Sequence, residues 1–436
     1  MSVLVAALAD VFIYRSVVCL HFRRLPARVA YIFSALVVDG AALSVLGIYG
    51  FWGGGSSVGV VTVMWLLWLF ILATLPKLLY ILGTALDFAT RRVLSRRRVT
   101  VFRWFFGAAS LAIVGVMVYG ATVGRTSLKV REVEISSPRI PEGFDGYRVV
   151  QISDLHLGTM TNPEKQIADL VARIAELDPD MVVSTGDLVN LAATELTPEI
   201  MALLSTLTAR DGTFSVWGNH DLGFYLPDGD SQEGVSVEEN FADLESRVRA
   251  MGWRVLSDES VWIRRGDYSI GGGDPVGRGD DLASLGDSSA MKGDSILLTG
   301  LDYPRGTHHN GNNSTLAGAD IDKAFEGMEG IEGSGGDPYN IVLAHTPVMW
   351  DDVVSRNRGD VTLSGHTHAM QMKLRLFGLV WSPAQYMYEE WSGRYFKGGA
   401  KNNMLYVNDG IGCVGYPMRT GDALPEVTLF RLTRCE

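Results

Sequence analysis

The sequence predicts an N-terminal α-helical transmembrane bundle followed by an α/β domain in which strands and helices alternate. Three observations lead to this fold class. The first 123 residues contain four long apolar runs, the net charge changes sign near residue 131, and short apolar runs in the second half end in histidine or aspartate. Long apolar runs predict membrane-spanning helices, whereas short ones bounded by turn residues predict buried strands.

Four stretches reach the length of about 20 apolar residues that a transmembrane helix needs. They are Ser2–Phe22, Val29–Trp52, Gly59–Leu86 and Phe102–Val123. The first stretch does not resemble a cleaved signal peptide, because no basic residue precedes it and no small-residue cleavage site follows it before Arg23. Asp10, Arg15 and Asp39 are ionisable residues inside spans, which are often functional, but we expect an interhelical Asp–Arg pair between the first two spans instead.

The charges of the loops predict the orientation of the spans. The first loop contains Arg23, Arg24 and Arg28, the third contains five arginines between positions 91 and 98, and the second contains no charge. Short loops rich in Lys and Arg stay in the cytoplasm. We therefore expect both termini, and the second half of the chain, on the periplasmic or extracellular side.

Charge and cysteine content limit the class of partner. Residues 1–131 contain 14 basic and three acidic residues, whereas the remainder contains 24 basic and 46 acidic residues. An acidic second half argues against a nucleic acid partner, because phosphate contacts need Lys and Arg. A small phosphate ester bound through metal ions is still compatible with this charge. Three cysteines form no disulfide framework, and pairing of Cys413 with Cys435 stays open.

Short apolar runs from residue 148 onward predict the strands of the α/β domain. These runs are Arg148–Ile152, Met181–Thr185, Thr213–Trp217, Ile341–Ala344 and Val361–Ser364, with Met404–Asn408 and Glu426–Leu432 as closing strands. An amphipathic helix follows the first of them, with Asn162 as its cap and Pro163 in its first turn.

Polar motifs follow five of these predicted strands directly. They are Asp154-Leu155-His156, Gly186-Asp187, Gly218-Asn219-His220-Asp221, His345 and Gly365-His366-Thr367-His368. Five of the eight histidines of the chain are in these motifs. Ligands bind at the strand ends of α/β sheets because side chains from separate strands converge there, so we expect one common site.

The pattern weakens between residues 222 and 338, which we interpret as a long insertion with loops. It contains three predicted elements, a helix at Glu238–Met251 and strands at Tyr268–Gly272 and Ser295–Gly300. A role in substrate selection and a surface elaboration without a role both stay open. We expect His308 and His309 to be solvent-exposed rather than to act as ligands.

The five motifs, in this order, resemble the signature of the calcineurin-like metallophosphoesterase superfamily, D-x-H, G-D, G-N-H-[D/E], H and G-H-x-H. Further segments are similar to its membrane-linked bacterial branch, the YkuE/YaeI-like phosphoesterases; they are Thr362–Gln371, Ser382–Tyr386, Tyr406–Gly412 and Pro425–Thr428. The resemblance implies a four-layer sandwich of two mixed β-sheets flanked by helices. The expected domains are therefore a four-helix transmembrane region (1–123), a linker with a first strand (124–147) and a metallophosphoesterase domain (148–436).

The same resemblance implies a binuclear metal site and its ligands. Asp187 would bridge the ions, Asp154, His156 and His368 would complete one of them, and Asn219, His345 and His366 the other. Imidazole and carboxylate ligands together suit Mn, Fe, Zn or Co rather than Ca. His220 would give a hydrogen bond or a proton to the substrate, and Asp221 would orient it. Gly186, Gly218 and Gly365 are expected at sharp turns that need the conformational freedom of glycine.

The function that follows is hydrolysis of a phosphomonoester, phosphodiester or pyrophosphate near the membrane, by a hydroxide held between two metal ions. A first alternative is a hydrolase of phospholipid or nucleotide-lipid head groups, since a related group cleaves a UDP-diacylglucosamine pyrophosphate bond. That step faces the cytoplasm, however, whereas the loop charges place this domain outside. A second alternative is a metal-binding membrane scaffold without activity. The aromatic stretch Trp381–Tyr395 is expected to help shape the pocket.

Overall fold

The computed structural model describes residues 2–22, 24–51, 57–93, 100–226, 235–265, 276–278, 294–304, 318–326, 338–398 and 403–435. The chain divides into two compact units. A helical unit comprises Met1–Arg125 with Gly415–Thr420, and an α/β unit comprises Thr126–Val414 with Gly421–Glu436.

The helical unit confirms that all four apolar runs are helices. These are α1 (Ser2–Ile13, continued by a π-helical turn at Tyr14–Val18 and a last turn at Cys19–His21), α2 (Leu25–Phe51), α3 (Ser57–Val93) and α4 (Val101–Thr122). Among the described residues, four segments are long and apolar enough to cross a membrane. The chain is therefore a membrane-associated protein, as its composition predicts.

The predicted Asp–Arg pair between the first two spans is absent from the described residues, where Asp39 Oδ1 has no hydrogen-bond partner. Asp10 and Asp87 are buried and pair with other cations. Asp10 does not pair with an arginine; its Oδ1 atom lies 2.6 Å from Lys77 Nζ on α3 and accepts a hydrogen bond from Tyr31 on α2 at 2.6 Å. The carboxylate of Asp10 lies among three helices, and the cation that it contacts there is Lys77 of α3. Asp87 similarly pairs with Arg103 at 3.0 Å.

Two mixed sheets form the centre of the α/β unit. Its strands are β1 (Lys129–Ser137), β2 (Arg148–Ile152), β3 (Met181–Ser184), β4 (Thr213–Ser215), β5 (Arg254–Val255), β6 (Glu259–Arg265), β7 (Val276–Arg278), β8 (Asp294–Leu301), β9 (Asn340–Ala344), β10 (Val361–Ser364), β11 (Met372–Leu376), β12 (Leu379–Trp381), β13 (Gly393–Phe396), β14 (Met404–Val407), β15 (Thr420–Gly421) and β16 (Glu426–Arg434). One sheet has the order β1-β16-β2-β3-β4-β5, and the other β13-β14-β10-β9-β8-β6-β7.

Helices cover the outer faces of these sheets. They are α5 (Pro163–Glu176), α6 (Pro198–Leu204), α7 (Val237–Ala250), α8 (Ile321–Ala324) and α9 (Trp350–Ser355). Asn162 caps α5 by accepting from the backbone N–H of Lys165. Apolar side chains of both sheets, such as Val183 and Leu363, fill the space between them. The four-layer arrangement confirms the predicted fold class.

The segment interpreted as an insertion contributes directly to both sheets. Strand β5 pairs with β4 in the first sheet, and β6 and β8 lie inside the second sheet, where β8 is parallel to β9. Strand β8 and helix α7 agree with the predicted elements. The predicted strand Tyr268–Gly272 and the pair His308 and His309 lie outside the described residues.

Candidate metal centre

The candidate site is formed where strands of the two sheets end. Strands β2, β3 and β4 are parallel neighbours in one sheet, and β9 and β10 are parallel neighbours in the other. Their carboxyl ends therefore point the same way within each sheet, and the loops that follow them meet. This arrangement brings together residues that are up to 214 positions apart in the chain, from Asp154 to His368.

Three of the predicted ligands form a first cluster, Asp154, His156 and His368. The Nε2 atom of His368 lies 3.2 Å from Asp154 Oδ1 and 3.0 Å from His156 Nε2. All three residues are buried. Three ligand-type atoms therefore face one point in a region shielded from water.

Four others form a second cluster, Asp187, Asn219, His345 and His366. His345 Nε2 lies 3.1 Å from Asp187 Oδ2 and 3.1 Å from Asn219 Oδ1. His366 Nδ1 lies 3.0 Å from the same Asn219 oxygen and 3.2 Å from His345 Nε2. Asp187 also connects the clusters, since its Oδ2 atom is 3.6 Å from His156 Nε2.

These spacings fit a bound metal ion. Ligand atoms that surround an ion at about 2.0–2.2 Å lie roughly 3.0–3.5 Å from one another. His345 Nδ1 lies 2.7 Å from the carbonyl oxygen of Thr185, so Nδ1–H donates there and the lone pair of Nε2 faces the cluster. Imidazole, amide and carboxylate lone pairs then converge, an arrangement that a divalent cation between them would stabilise.

Burial and mutual charge set the protonation of these groups. Burial lowers the pKa of His366 to about 3, and it also holds the pKa of His156 well below its usual value. Burial would raise the pKa of Asp187, but His345 and His220 hold it well below its usual range. His156 and His366 are therefore neutral imidazoles beside an ionised Asp187, the forms that bind metals. Burial would lower the pKa of His345 as well, but its contact with Asp187 raises it to about 9, so a metal ion there would have to displace a proton from this ring.

Backbone strain is concentrated in the same residues. Five of the seven ligand candidates have left-handed φ angles: Asp154 (53°), His156 (43°), Asp187 (55°), His366 (70°) and His368 (51°). Such angles are uncommon for residues other than glycine and cost of order 1–2 kcal/mol each. Strain of this kind clusters at functional sites, where the surrounding structure compensates for it.

Glycine is needed at the three motif positions, but mostly for lack of space rather than for φ. Only Gly186 has a left-handed angle, 93°. A Cβ atom at Gly218 would lie 2.0 Å from Asp187 Oδ1, and one at Gly365 would lie 2.2 Å from Asp154 Oδ2. The expectation of turn conformations is therefore confirmed for one glycine and wrong for the other two, which allow the carboxylates to approach the backbone.

The structure places His220 beside the clusters but gives Asp221 a different role from the one predicted. His220 Nδ1 lies 2.6 Å from the carbonyl oxygen of Asn190, and its ring stacks on Tyr225 with centroids 4.1 Å apart. Asp221 does not contact this ring. Its buried carboxylate instead accepts backbone N–H groups of Asp187, Leu188, Val189 and Gly218 at 2.7–3.2 Å. The carbonyl of Asn190 thus orients His220, while Asp221 holds the turn that presents Asp187.

Three tyrosines around the clusters were not predicted individually. Tyr388 Oη lies 3.5 Å from His366 Nε2, and the ring of Tyr303 lies 5.9 Å from that of His345. Tyr225 is the third, through its contact with His220. Tyr388 belongs to the aromatic stretch that was expected to shape the pocket. Tyr225 and Tyr303 lie in irregular loops, and no sequence motif there indicates a position near the site.

Comparisons with known proteins agree with this geometry. Residues 147–370 match the family model described as calcineurin-like phosphoesterase. The chain is 29% identical over 347 residues to the uncharacterized metallophosphoesterase YkuE of Bacillus subtilis, covering 78% of this chain and 98% of that one.

Two further relatives show how the similarity is distributed. A transmembrane protein with metallophosphoesterase domain of Danio rerio is 30% identical over 316 residues, which cover 71% of this chain but 59% of that protein. The UDP-2,3-diacylglucosamine pyrophosphatase LpxG of Chlamydia trachomatis is 26% identical over 326 residues, covering 70% of this chain and 89% of that enzyme. This chain thus spans less than two thirds of the Danio rerio protein.

Proposed function

Because the chain belongs to the calcineurin-like phosphoesterase family, we propose that it is a membrane-anchored hydrolase of phosphate esters that works with two divalent cations. The observation that carries the proposal is the convergence of the first and second clusters on Asp187. A carboxylate that faces both clusters is suited to bridge two ions. The donor set favours Mn, Fe, Zn or Co.

The proposed reaction assigns distinct tasks to the side chains. Bound cations would supply a nucleophilic hydroxide from water and neutralise charge on the phosphoryl group. The water oxygen joins phosphorus, the ester P–O bond breaks, and the leaving oxygen takes a proton. Burial lowers the pKa of His220, and its Nδ1–H is engaged by the carbonyl of Asn190, so the resting ring is neutral with a free lone pair at Nε2. His220 would take up at Nε2 the proton released by the attacking water and pass it to the leaving oxygen. Stacking on Tyr225 keeps the ring in this orientation.

The proposal is tested with the full-length protein in detergent. Metal content is measured after dialysis, and hydrolysis of p-nitrophenyl phosphate is measured with Mn added. We expect Asp187→Asn to lose bound metal and turnover, whereas Asp169→Asn, a matched change at an exposed site on α5, leaves both unchanged. Full turnover in Asp187→Asn would refute the proposal. Bound metal without turnover on any phosphate ester would instead favour the non-catalytic scaffold.

A second candidate is a lipid-linked phosphate or pyrophosphate substrate. Its support is the name of the LpxG relative and the run of exposed apolar residues that follows His368 in the chain. Full-length protein would be assayed on a phosphate ester embedded in vesicles and on p-nitrophenyl phosphate. Leu376→Asp is expected to lower turnover of the embedded ester alone. An equal effect on both substrates would contradict a lipid substrate.

We propose that all four helices cross the membrane and that the α/β unit faces the periplasm or cell exterior. The support is the concentration of arginine in the first and third loops. Cys435 offers a natural reporter because it is exposed, whereas Cys413 is buried and the two are not joined. A membrane-impermeant maleimide added to intact cells should label Cys435, and Cys435→Ser should abolish labelling. Labelling that requires lysis would place the unit inside.

A further inference from the structure

The α/β unit has one concentrated patch of exposed apolar side chains. Among its described residues, twelve large apolar side chains are exposed, and nine of them lie between positions 374 and 396. Soluble proteins rarely expose a contiguous patch of this kind unless it binds something. The centre of the patch is the hairpin of β11 and β12, here termed the apolar hairpin.

Pairing of the strands places the apolar residues on one face of this hairpin. Leu374 lies opposite Trp381, and Leu376 lies opposite Leu379. Cross-strand partners and alternate residues share a face of a sheet, so all four point to the same side. Leu376 is 64% exposed and Leu379 is 77% exposed. Within the described part of the chain, this face is therefore left uncovered.

The turn of the hairpin adds an apolar tip that does not stabilise the fold. Phe377 and Gly378 have φ angles of 50° and 83°, as a two-residue turn of type I′ requires. Such a turn favours Asn or Gly at its first position, and a bulky residue there is strained. Phe377 is also 96% exposed, so its ring packs against almost nothing. A phenylalanine that strains the turn and gains almost no contact within the fold is explained by a contact of its ring with a partner outside the chain.

The other face of the hairpin borders a basic cleft of about 640 Å³. Five of its lining residues are cationic: Lys129, Arg131, Lys373, Arg375 and Arg394. Arg131 and Lys373 are already paired with buried carboxylates, of Glu426 and Asp409. Arg375 forms an ion pair with Asp422 at 3.5 Å but its side chain is 59% exposed, and Arg394 is exposed with no ion pair in the described part of the chain. Both guanidinium groups are therefore exposed enough to bind an anion.

The chain itself keeps this cleft near the membrane. Lys129 follows the end of the fourth apolar segment, Thr126, by three residues, so it stays within about 10 Å of that end in any arrangement of the two units. Lys129 Nζ lies 2.6 Å from Asp422 Oδ1, and Arg375 Nη2 lies 3.5 Å from Asp422 Oδ2. Asp422 thus links Arg375, at the base of the apolar hairpin, to Lys129, which lies close to the end of the last apolar segment.

We propose that the apolar hairpin inserts into the bilayer surface and that Arg375 and Arg394 bind the phosphate groups of anionic phospholipids. Apolar side chains at the tip enter the boundary of the acyl chains, while cations behind them remain at the level of the head groups. The partner is the lipid surface that the spans of the same chain already cross. This inference does not depend on the site being catalytic, and its test measures no turnover.

The test measures the depth of the tip in full-length protein reconstituted into nanodiscs. An environment-sensitive fluorophore is attached at Phe377→Cys in a Cys435→Ser background, and the labelled background alone provides the correction for Cys19 and Cys413. Phospholipids with a nitroxide on the acyl chain should quench this label at least threefold more than a label at Asp169→Cys on α5. Equal quenching at the two positions would overturn insertion of the tip.

The arginines are tested in the same assay by varying the lipid. Adding phosphatidylglycerol to phosphatidylcholine nanodiscs should increase the ratio of quenched to unquenched label. The double variant R375E/R394E should reduce this ratio by about fivefold or more for each arginine replaced. K165E/R173E, two charge reversals at exposed sites of α5, provide the matched control. An equal loss in the control would overturn the role of the cleft, as would the absence of any dependence on anionic lipid.

Discussion

The carboxylate of Asp221 accepts the backbone N–H of Asp187 at 2.7 Å, so one aspartate fixes the position of the other. Asp221 accepts three more N–H groups from the same region, and it is fully buried. Asp221 is therefore a positioning residue for the carboxylate that faces both clusters. Substitution of Asp221 should therefore lower activity by weakening metal binding and not by impairing proton transfer.

Asp221→Asn should weaken metal binding by about 10–100-fold, because an amide cannot accept all of these hydrogen bonds. Turnover should recover when excess Mn is added, since every ligand is still present. Metal titration of p-nitrophenyl phosphate hydrolysis measures this shift. If excess metal does not restore turnover while the protein remains folded, Asp221 acts in the chemistry itself.

His220→Ala should lower kcat by about 10²–10⁴-fold with metal content unchanged. The loss should be larger for an alkyl phosphate than for p-nitrophenyl phosphate, because a poor leaving group needs the proton more. The comparison of the two substrates is the internal control. Equal losses on both would assign His220 to phosphate binding instead.

Gly218→Ala should remove metal binding and destabilise the α/β unit by about 1–3 kcal/mol, because a methyl group would occupy the position of Asp187 Oδ1. Gly398→Ala provides the matched control, since no atom lies within 4 Å of the position that its methyl group would take. Metal content and thermal unfolding measure both effects. A Gly218→Ala protein that binds metal normally would contradict the packing described for Asp187.

Asp302→Asn should stabilise the protein at high pH but not at low pH. Burial raises the pKa of Asp302 to about 6, with a further contribution from Asp258 and an opposing hydrogen bond from Ser257. Because this folded-state value exceeds the unfolded one of about 3.9, the associated stability is complete below pH ~4 and is lost as the pH rises through about 6. The melting temperature of the variant relative to wild type should thus be higher at pH 8 than at pH 4.5. Asp169→Asn, at an exposed site of α5, provides the matched control.

Phe377→Asn should separate membrane contact from stability. Asparagine adopts left-handed angles more readily, so the free energy of unfolding should rise by about 0.5–1 kcal/mol or stay unchanged. Association of the hairpin with lipid should fall, as measured by a neighbouring label at Val380→Cys. A large loss of stability would mean that the Phe377 ring packs against the fold after all.

The motifs reveal the site because each consists of ligand-type residues directly after an apolar strand, and strand ends converge in α/β sheets. All seven ligand candidates consequently lie in the two clusters. The hydrogen bonds of Asp221 were not foreseen. Its place next to His220 in the sequence suggested that it would orient His220, whereas in the fold it accepts backbone N–H groups around Asp187. The requirement for space at Gly218 was not foreseen either, since it depends on Asp187 from another strand end.

Other features could not be read from the pattern because they depend on tertiary pairing. Strands β5 and β6 lie in a stretch rich in polar and turn residues, yet they complete both sheets. Asp10 pairs with Lys77 of the third span, and the expected Asp–Arg pair of the first two spans is absent from the described residues, because contacts among helices, rather than spacing along the chain, choose the pair. The apolar hairpin has no signature, since short alternating strands resemble many others.

The left-handed stretch from His368 to Gln371 connects a ligand of the first cluster to the first residue of β11 without a flexible segment between them. Backbone at such angles persists only where the surrounding structure holds it in place. A hairpin seated in lipid would consequently fix the position of the segment that carries His368, so that contact with the membrane and the geometry of the first cluster would be coupled.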